Sequence, residues 1–116
     1  MVSDEPIGSR ASDGVADLTL ISNIDEGGIN ENLRVRYENQ SIYTYAGSIL
    51  IAVNPYEELE IYEAEYQALY CGQRLGDLAP HVFAIAESAY RKLCTDDADQ
   101  AIVISGESGA GKTEST

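Results

Sequence analysis

Apolar residues recur along this chain at spacings that predict short helices and strands. A helix is predicted where Ile29, Leu33 and Tyr37 recur at every fourth position with charged residues between them. The pair Gly27-Gly28 directly precedes this stretch, and we expect it to break the chain there. Residues 1–14 contain few apolar positions and several Gly, Ser and Asp residues, so they are predicted to form a flexible lead-in.

Two adjacent strands are predicted for residues 42–53, which read Ile-Tyr-Thr-Tyr-Ala-Gly-Ser-Ile-Leu-Ile-Ala-Val. β-Branched and aromatic residues favour strands, and the central glycine favours a tight turn between them. The second strand is apolar at consecutive positions, which is typical of a strand covered on both faces. Asn54-Pro55 should end it, because proline has no N–H to donate to a sheet. We expect a loop over residues 54–62.

Two helices and another strand are predicted in the second half of the chain. A short helix covers residues 63–71 and stops at Gly72, and a longer one starts at Pro80, a residue that suits the first turn. The longer helix carries two neighbouring apolar rows, namely Val82, Ala86, Ala89 and Leu93 in one and Phe83, Tyr90 and Cys94 in the other. Residues 101–105, Ala-Ile-Val-Ile-Ser, are typical of a buried parallel strand.

A phosphate-loop motif follows this last predicted strand directly. The sequence Gly106-Glu107-Ser108-Gly109-Ala110-Gly111-Lys112-Thr113 satisfies G-x-x-x-x-G-K-[ST]. Its three glycines allow positive φ and close backbone approach, so that backbone N–H groups can turn towards a phosphate. Lys112 can reach the β- and γ-phosphates, the Thr113 hydroxyl is a suitable Mg²⁺ ligand, and a helix starting near Gly111 would direct its positive end at the same anion.

The motif therefore predicts a nucleoside triphosphate bound with Mg²⁺, but it leaves the reaction open. Phosphoryl transfer also needs a group that positions water and further charge stabilisation at the γ-phosphate. A different P-loop enzyme, such as a small-molecule kinase or a GTPase, requires only residues 106–113 and assigns no role to residues 54–62. A non-enzymatic nucleotide-binding module would require no contribution from Lys112 at all.

The composition of the chain argues against some classes of binding partner. The chain has 116 residues, of which 7 are basic and 20 acidic, so its net charge of −13 argues against nucleic acid and anionic membranes as partners. With 44% hydrophobic residues it is not predicted to be disordered, and it contains no apolar run long enough for a membrane span and no signal peptide, so we expect a soluble intracellular chain. Cys71, Cys94 and His81 form no metal-binding pattern, and the cysteines are expected to be reduced.

Three segments resemble the motor domain of myosins. Residues 106–114 are similar to the family sequence G-E-S-G-A-G-K-T-E, residues 42–56 to I-Y-T-Y-x-G-x-x-L-x-A-V-N-P-[YF], and residues 80–86 to its P-P-H-I-F-A-I-A segment. The three segments occur in the family's order and spacing, and the resemblance extends over nearly the whole chain, from about residue 15 to residue 116. This resemblance implies an α/β fold of the P-loop NTPase class, with part of the central sheet of a myosin head and its flanking helices.

The resemblance also implies roles for particular residues. ATP and Mg²⁺ are the implied ligands, with Lys112 as the catalytic residue and Thr113 as the metal ligand. Asn54, Pro55 and Tyr62 fall in the family's purine-binding loop and are expected to line the adenine pocket, with Tyr62 against the base. Glu57 and Glu60 depart from the family pattern in this loop, and they should weaken nucleotide binding unless they point to solvent.

For the whole protein, the resemblance implies an actin-based motor ATPase that is cytoplasmic and associated with the cytoskeleton, with light chains or calmodulin as further partners and no nucleic acid or membrane insertion. The family's N-x-x-S-S-R and D-x-x-G-[FY]-E segments do not occur in these residues. We therefore expect the chain to be the N-terminal piece of a myosin head. In isolation, residues 101–105 should lack flanking strands, and the chain should bind ATP weakly or not at all and hydrolyse none.

Overall fold

The computed structural model describes residues 14–116, so the predicted lead-in lies outside the described residues except for Gly14. Helices and short strands alternate along the chain: a 3₁₀ turn at Leu18–Leu20, α1 at Glu26–Glu38, β1 at Tyr43–Ala46, β2 at Ile49–Ala52, α2 at Ala64–Tyr70, α3 at Val82–Asp96 and α4 at Lys112–Ser115. Within residues 14–116, no helix combines the length and the apolar character needed to cross a membrane.

The predicted hairpin is confirmed. β1 pairs antiparallel with β2, with Tyr43 opposite Ala52 and Ala46 opposite Ile49. Gly47 occupies the first position of the two-residue turn with a φ of +63°, a left-handed conformation that favours glycine. β2 ends before Asn54, as the sequence predicted.

The prediction that β2 is covered on both faces is wrong for the described part of the chain. The buried strand is β1, whose residues 43–45 are almost fully buried and whose Tyr45 N–H donates to the carbonyl of Ala16 at 2.8 Å. In β2, by contrast, the side chain of Ile49 is 65% exposed. The sheet described has two strands, so nothing in residues 14–116 pairs with the outer edge of β2.

Helix α1 confirms the predicted helix but begins earlier, so that Gly27 and Gly28 lie inside its first turn and do not break the chain. Asp25 caps the helix, because its carboxylate accepts a hydrogen bond from the N–H of Gly28 at 2.7 Å. Gly28 packs against backbone, where an added Cβ would stand 2.0 Å from the carbonyl oxygen of Asn23. Glycine therefore serves close packing at this position.

Hydrogen bonds from polar side chains, more than contacts of the predicted apolar row, connect α1 to the rest of the fold. Asn32, which is 7% exposed, accepts from the N–H of Val15 at 2.7 Å and donates to its carbonyl at 3.0 Å. Arg36 donates to the hydroxyl of Thr44 and to the carbonyl of the preceding residue, both at 2.9 Å. Tyr37, from the predicted row, remains 38% exposed. The docking of this helix therefore depends on specific hydrogen bonds.

Helices α2 and α3 confirm the two helices predicted in the second half of the chain and form its main apolar core. Tyr66 and Tyr70 from α2 pack with Ala84 from α3, and partly buried apolar residues surround them, namely Ile61, Leu75, Leu78 and Phe83. The two apolar rows predicted on α3 are only partly buried, because Tyr90 is 63% and Leu93 46% exposed. The core therefore lies at the N-terminal end of α3.

Pro80 does not lie in the first turn of α3, which corrects the prediction made for it. His81 is the N-cap residue instead, and its ring nitrogen Nδ1 accepts a hydrogen bond from the N–H of Phe83 at 3.0 Å. A side-chain acceptor at the cap satisfies one of the helix's unpaired N–H groups. The proline therefore stands before the cap.

Residues 101–105 form no strand, contrary to the prediction, and Ile102 and Val103 are 52% and 88% exposed. A strand is held by hydrogen bonds to its neighbours, and this segment has no strand beside it among the described residues. Within residues 14–116 the run therefore stands without strand neighbours. A groove of about 470 Å³ lies between this segment, β2 and α3 and reaches Lys112.

Two buried tyrosines give a matched test of the core. Tyr70 is 4% exposed, its hydroxyl donates to the carbonyl of Ala79, and burial raises its pKa to about 12, so it stays a donor at neutral pH. Tyr45 is 3% exposed, but its hydroxyl has no hydrogen-bond partner among the described residues. Tyr70→Phe should lower the free energy of unfolding by about 1 kcal/mol, whereas Tyr45→Phe should leave it unchanged or raise it. Urea denaturation followed by circular dichroism measures both, and equal losses would contradict the assignment.

Candidate nucleotide-binding site

The phosphate-loop motif forms a turn that leads into α4. Gly109 and Gly111 have φ values of +85° and +98°, while Gly106 does not have positive φ, so two of the three glycines meet the conformational expectation. At Gly109 an added Cβ would meet nothing within 4 Å, so the backbone conformation itself is what favours glycine there. α4 starts directly after Gly111, as predicted, although the residues after the motif suffice for only one turn.

The backbone of this turn leaves N–H groups available to an anion. The N–H of Ala110 donates to the carbonyl of Glu107 at 3.1 Å and closes the turn. Within residues 14–116, the backbone N–H groups of Gly109, Gly111, Lys112 and Thr113 have no protein acceptor. Consecutive unpaired N–H groups in such a turn suit a phosphate, because each can donate to one of its oxygens.

Lys112 and Thr113 are both exposed on the first turn of α4. The aliphatic part of Lys112 runs beside Gly106, where an added Cβ would lie 3.6 Å from its Cγ. The ion pairs of the described chain join Arg34 to Glu31 and Glu38, so no carboxylate of residues 14–116 holds the Lys112 ammonium. The ammonium and the Thr113 hydroxyl fit, by donor chemistry, a bound triphosphate and its Mg²⁺.

Asn54 connects the predicted purine-binding loop to the phosphate loop. Its side-chain Nδ2 donates to the carbonyl of Gly109 at 3.0 Å, and its Oδ1 accepts from the N–H of Tyr56 at 2.8 Å. An added Cβ at Gly111 would lie 3.8 Å from the Cβ of Asn54. The sequence predicted an adenine-lining role for this residue, and the structure brings it to the phosphate loop.

Tyr62 lies in a cluster of aromatic rings. Its hydroxyl shares a hydrogen bond of 2.6 Å with that of Tyr43, and its ring meets those of His81 and Phe83 edge-on at centroid distances of 5.6 and 6.0 Å. Burial, followed by this hydrogen bond, raises the pKa of Tyr43. Tyr62 as a residue remains 38% exposed, so it is not fully covered by the protein. None of its hydrogen bonds or ring contacts among the described residues involves residues 106–113.

Other positions of the predicted purine-binding loop form hydrogen bonds with residues that lie outside the loop. The carbonyl of Pro55 accepts from the Tyr37 hydroxyl at 3.3 Å, and Glu57 accepts from the side chain of Gln40 at 3.4 Å. Glu57 and Glu60 are both exposed. Their exposure meets the condition under which the two carboxylates are not predicted to weaken nucleotide binding.

His81 forms no metal-binding pattern in the sequence, but the folded chain gives it a structural role that the sequence did not indicate. The side chain is 3% exposed, and its Nε2 lies 2.7 Å from the carbonyl of Ile61, next to Tyr62. Histidine is not among the favoured helix caps, and the helix was predicted to start at Pro80, so no signal for this role was present in the sequence.

The comparisons with known proteins all indicate the same family. The family model described as "Myosin head (motor domain)" matches residues 15–116. The chain is 53% identical over 104 residues to "Myosin-H heavy chain" of Dictyostelium discoideum, which covers 90% of this chain and 6% of that protein. It is 50% identical over 103 residues to "Unconventional myosin-Vb" of Mus musculus, covering 88% of this chain and 6% of that protein.

A plant relative matches to a similar extent. The chain is 52% identical over 104 residues to "Myosin-6" of Arabidopsis thaliana, covering 89% of this chain and 7% of that protein. The chain thus spans about 6% to 7% of the length of these curated relatives, and nearly all of it takes part in the matches.

The contact between Asn54 and Gly109 can be tested by a pair of variants. Asn54→Ala removes the hydrogen bond to the phosphate loop, so the backbone N–H order parameters of Gly109 and Gly111 should fall from those of ordered backbone, about 0.85, towards 0.6. Gln40→Ala is the matched control, because it removes the contact with Glu57 on the outer side of the same loop. ¹⁵N relaxation measures both, and unchanged order in Asn54→Ala would show that this contact does not hold the turn.

Proposed function

Because this chain belongs to the myosin head (motor domain) family, we propose that it supplies the ATP-binding part of an actin-based motor ATPase. The observation that carries the proposal is the phosphate-loop turn, with its unpaired N–H groups and the Asn54 amide bonded to Gly109. In this proposal residues 15–116 form the N-terminal part of a motor domain, with a purine-binding loop at 54–62 and a phosphate loop at 106–113.

The fold proposed for the complete head is that of a P-loop NTPase. In it, residues 101–105 become a strand of the central sheet when strands from other parts of the head lie beside them. The apolar character of this run and the groove between it, β2 and α3 support the proposal, because both offer surface that a sheet would bury. The described helices then flank this sheet.

The phosphate loop has the main role in binding the triphosphate. Its unpaired N–H groups donate to phosphate oxygens, and the Lys112 ammonium contacts the β- and γ-phosphates and offsets their charge, which makes Lys112 the catalytic residue of this segment. The Thr113 hydroxyl is the protein ligand for Mg²⁺. The metal, when bound, neutralises charge that develops on the phosphate oxygens. The remaining motif residues Glu107, Ser108 and Ala110 contribute backbone to the loop.

The purine-binding loop recognises the base. Tyr62 offers a partly exposed ring for stacking, and a stacked aromatic contributes about 1–3 kcal/mol in comparable sites. Asn54 and Pro55 fix the start of the loop, Asn54 through Gly109 and Pro55 through its carbonyl contact with Tyr37. The base and the phosphates are thereby held by two loops that share one hydrogen bond.

The proposed setting is the cytoplasmic cytoskeleton, with actin filaments as the track and light chains or calmodulin as further partners. The net charge of −13 makes this segment a poor docking face for acidic actin, so basic contacts would come from elsewhere in the head. No role for nucleic acid or membrane insertion is proposed.

Lys112→Ala tests the proposal in the full-length motor. Loss of the ammonium should weaken Mg-ATP binding about 10- to 100-fold, the range for a hydrogen bond to a charged group, and should abolish actin-activated hydrolysis. Isothermal titration and a phosphate-release assay measure these effects. A variant that binds and hydrolyses ATP like the parent would favour a non-enzymatic module with an unused motif.

Tyr62→Ala tests the proposed contact between Tyr62 and the base of the nucleotide. It should weaken ATP binding roughly tenfold through the lost stacking surface, while Tyr62→Phe, which keeps the ring and loses only the hydrogen bond to Tyr43, should lose less affinity than Tyr62→Ala. Tyr56→Ala is the matched control, because Tyr56 is in the same loop and 84% exposed. Titrations with ATP and GTP would show no effect of Tyr62→Ala on either nucleotide if a P-loop alone carried the binding.

A further inference from the structure

His81 sits inside a cage of aromatic rings contributed by four parts of the chain. The rings of Tyr43, Tyr62, Tyr66, Tyr70 and Phe83 lie at centroid distances of 4.3 to 6.1 Å from the imidazole. The His81 side chain is 3% exposed. An imidazole enclosed in this way cannot change its hydrogen-bond partners without movement of the surrounding rings.

Two backbone hydrogen bonds define which ring nitrogen carries the proton. Nδ1 accepts from the N–H of Phe83 at 3.0 Å, so it must be unprotonated. Nε2 faces the carbonyl of Ile61 at 2.7 Å, so it must be the donor. The neutral imidazole with its proton on Nε2 satisfies both contacts, and a proton added to Nδ1 would confront the N–H of Phe83.

These bonds join the purine-binding loop to α3. Ile61 directly precedes Tyr62, and the ring of Tyr62 packs edge-on against the imidazole that binds the Ile61 carbonyl. The Tyr62 hydroxyl is held on its other side by Tyr43 from β1. The orientation of Tyr62 is therefore set by a histidine on one side and a strand on the other.

We propose that His81 is a positioning residue for adenine recognition, because its neutral imidazole ties the carbonyl of Ile61 to the start of α3 and so fixes the ring of Tyr62 for stacking. The proposal rests on the proposed function, in which Tyr62 contacts the base. It predicts that His81 affects binding of the base and leaves binding of the phosphates unchanged.

The same geometry makes base recognition sensitive to acid. Burial lowers the pKa of His81. The groups that face the imidazole from β1, the loop, α2 and α3 are neutral tyrosine and phenylalanine rings. The nearby carboxylates of Glu60, Glu63 and Glu65 act on one of these rings, since they raise the pKa of Tyr66. Above the ordinary imidazole pKa of about 6.5, the folded and unfolded chains are both neutral here and the contact is intact. As the pH falls below that value, the unfolded chain takes up a proton first, so the contribution of this contact to folding stability declines. The contact itself is lost when the pH falls through the lower pKa of the folded chain.

His81→Asn separates this role from helix capping in the full-length motor. Asparagine is a favoured N-cap, so α3 keeps its cap, but its amide is too short to take over both contacts. ATP affinity should fall roughly three- to tenfold, the worth of one hydrogen bond, while affinity for inorganic tripolyphosphate should stay within about twofold of the parent. Equal losses for both ligands, or a loss for neither, would overturn the proposal.

The wild-type protein provides a second readout that does not depend on the variant folding. Its ratio of ATP to tripolyphosphate affinity should decline as the pH falls through the folded pKa of His81, which burial holds below the ordinary imidazole value, while that of His81→Asn should be flat over the same range. ¹⁵N chemical shifts of the His81 ring should show the proton on Nε2 at neutral pH, and a proton on Nδ1 would overturn the inference by itself. Failure of the wild-type protein to bind either ligand would instead overturn the proposed function, and this inference with it.

Discussion

The hydrogen bond from the Asn54 amide to the carbonyl of Gly109 is the contact on which the candidate site depends, because it joins two loops that are 55 residues apart in sequence. The hairpin ends just before Asn54 and so delivers the amide to the phosphate loop. Gly111, next to that contact, has the positive φ from which α4 starts. The proposed purine-binding loop and the phosphate loop are thereby joined by a direct hydrogen bond.

The second support of the site is an enclosed set of polar atoms. Tyr43 and Tyr62 share a hydrogen bond, and His81 holds the backbone next to Tyr62 while capping α3. Buried polar groups cost stability unless they are paired, and when paired they fix geometry that apolar contacts leave adjustable. The position of Tyr62 is therefore specified by directional bonds on the side that faces the protein, while part of the residue stays exposed.

The sequence predicted the features that depend on local chemistry. The hairpin follows from its strand-forming residues and Gly47, and the turn before α4 follows from the glycines of the motif. Residues 101–105 carry a strand pattern, but a strand also needs neighbours, and no periodicity supplies them. The role of His81 and the packing of Gly28 against Asn23 depend on residues that meet only after folding, so they left no readable pattern in the sequence.

A crystal structure of the full-length motor with Mg²⁺ and a non-hydrolysable ATP analogue tests most directly whether these two loops form one nucleotide site. The expected result has the triphosphate against the N–H groups of residues 109–113, Mg²⁺ on the Thr113 hydroxyl and the base beside Tyr62, with the contact between Asn54 and Gly109 intact. Nucleotide bound elsewhere, or phosphates in the loop with the base directed away from Tyr62, would contradict the joint site.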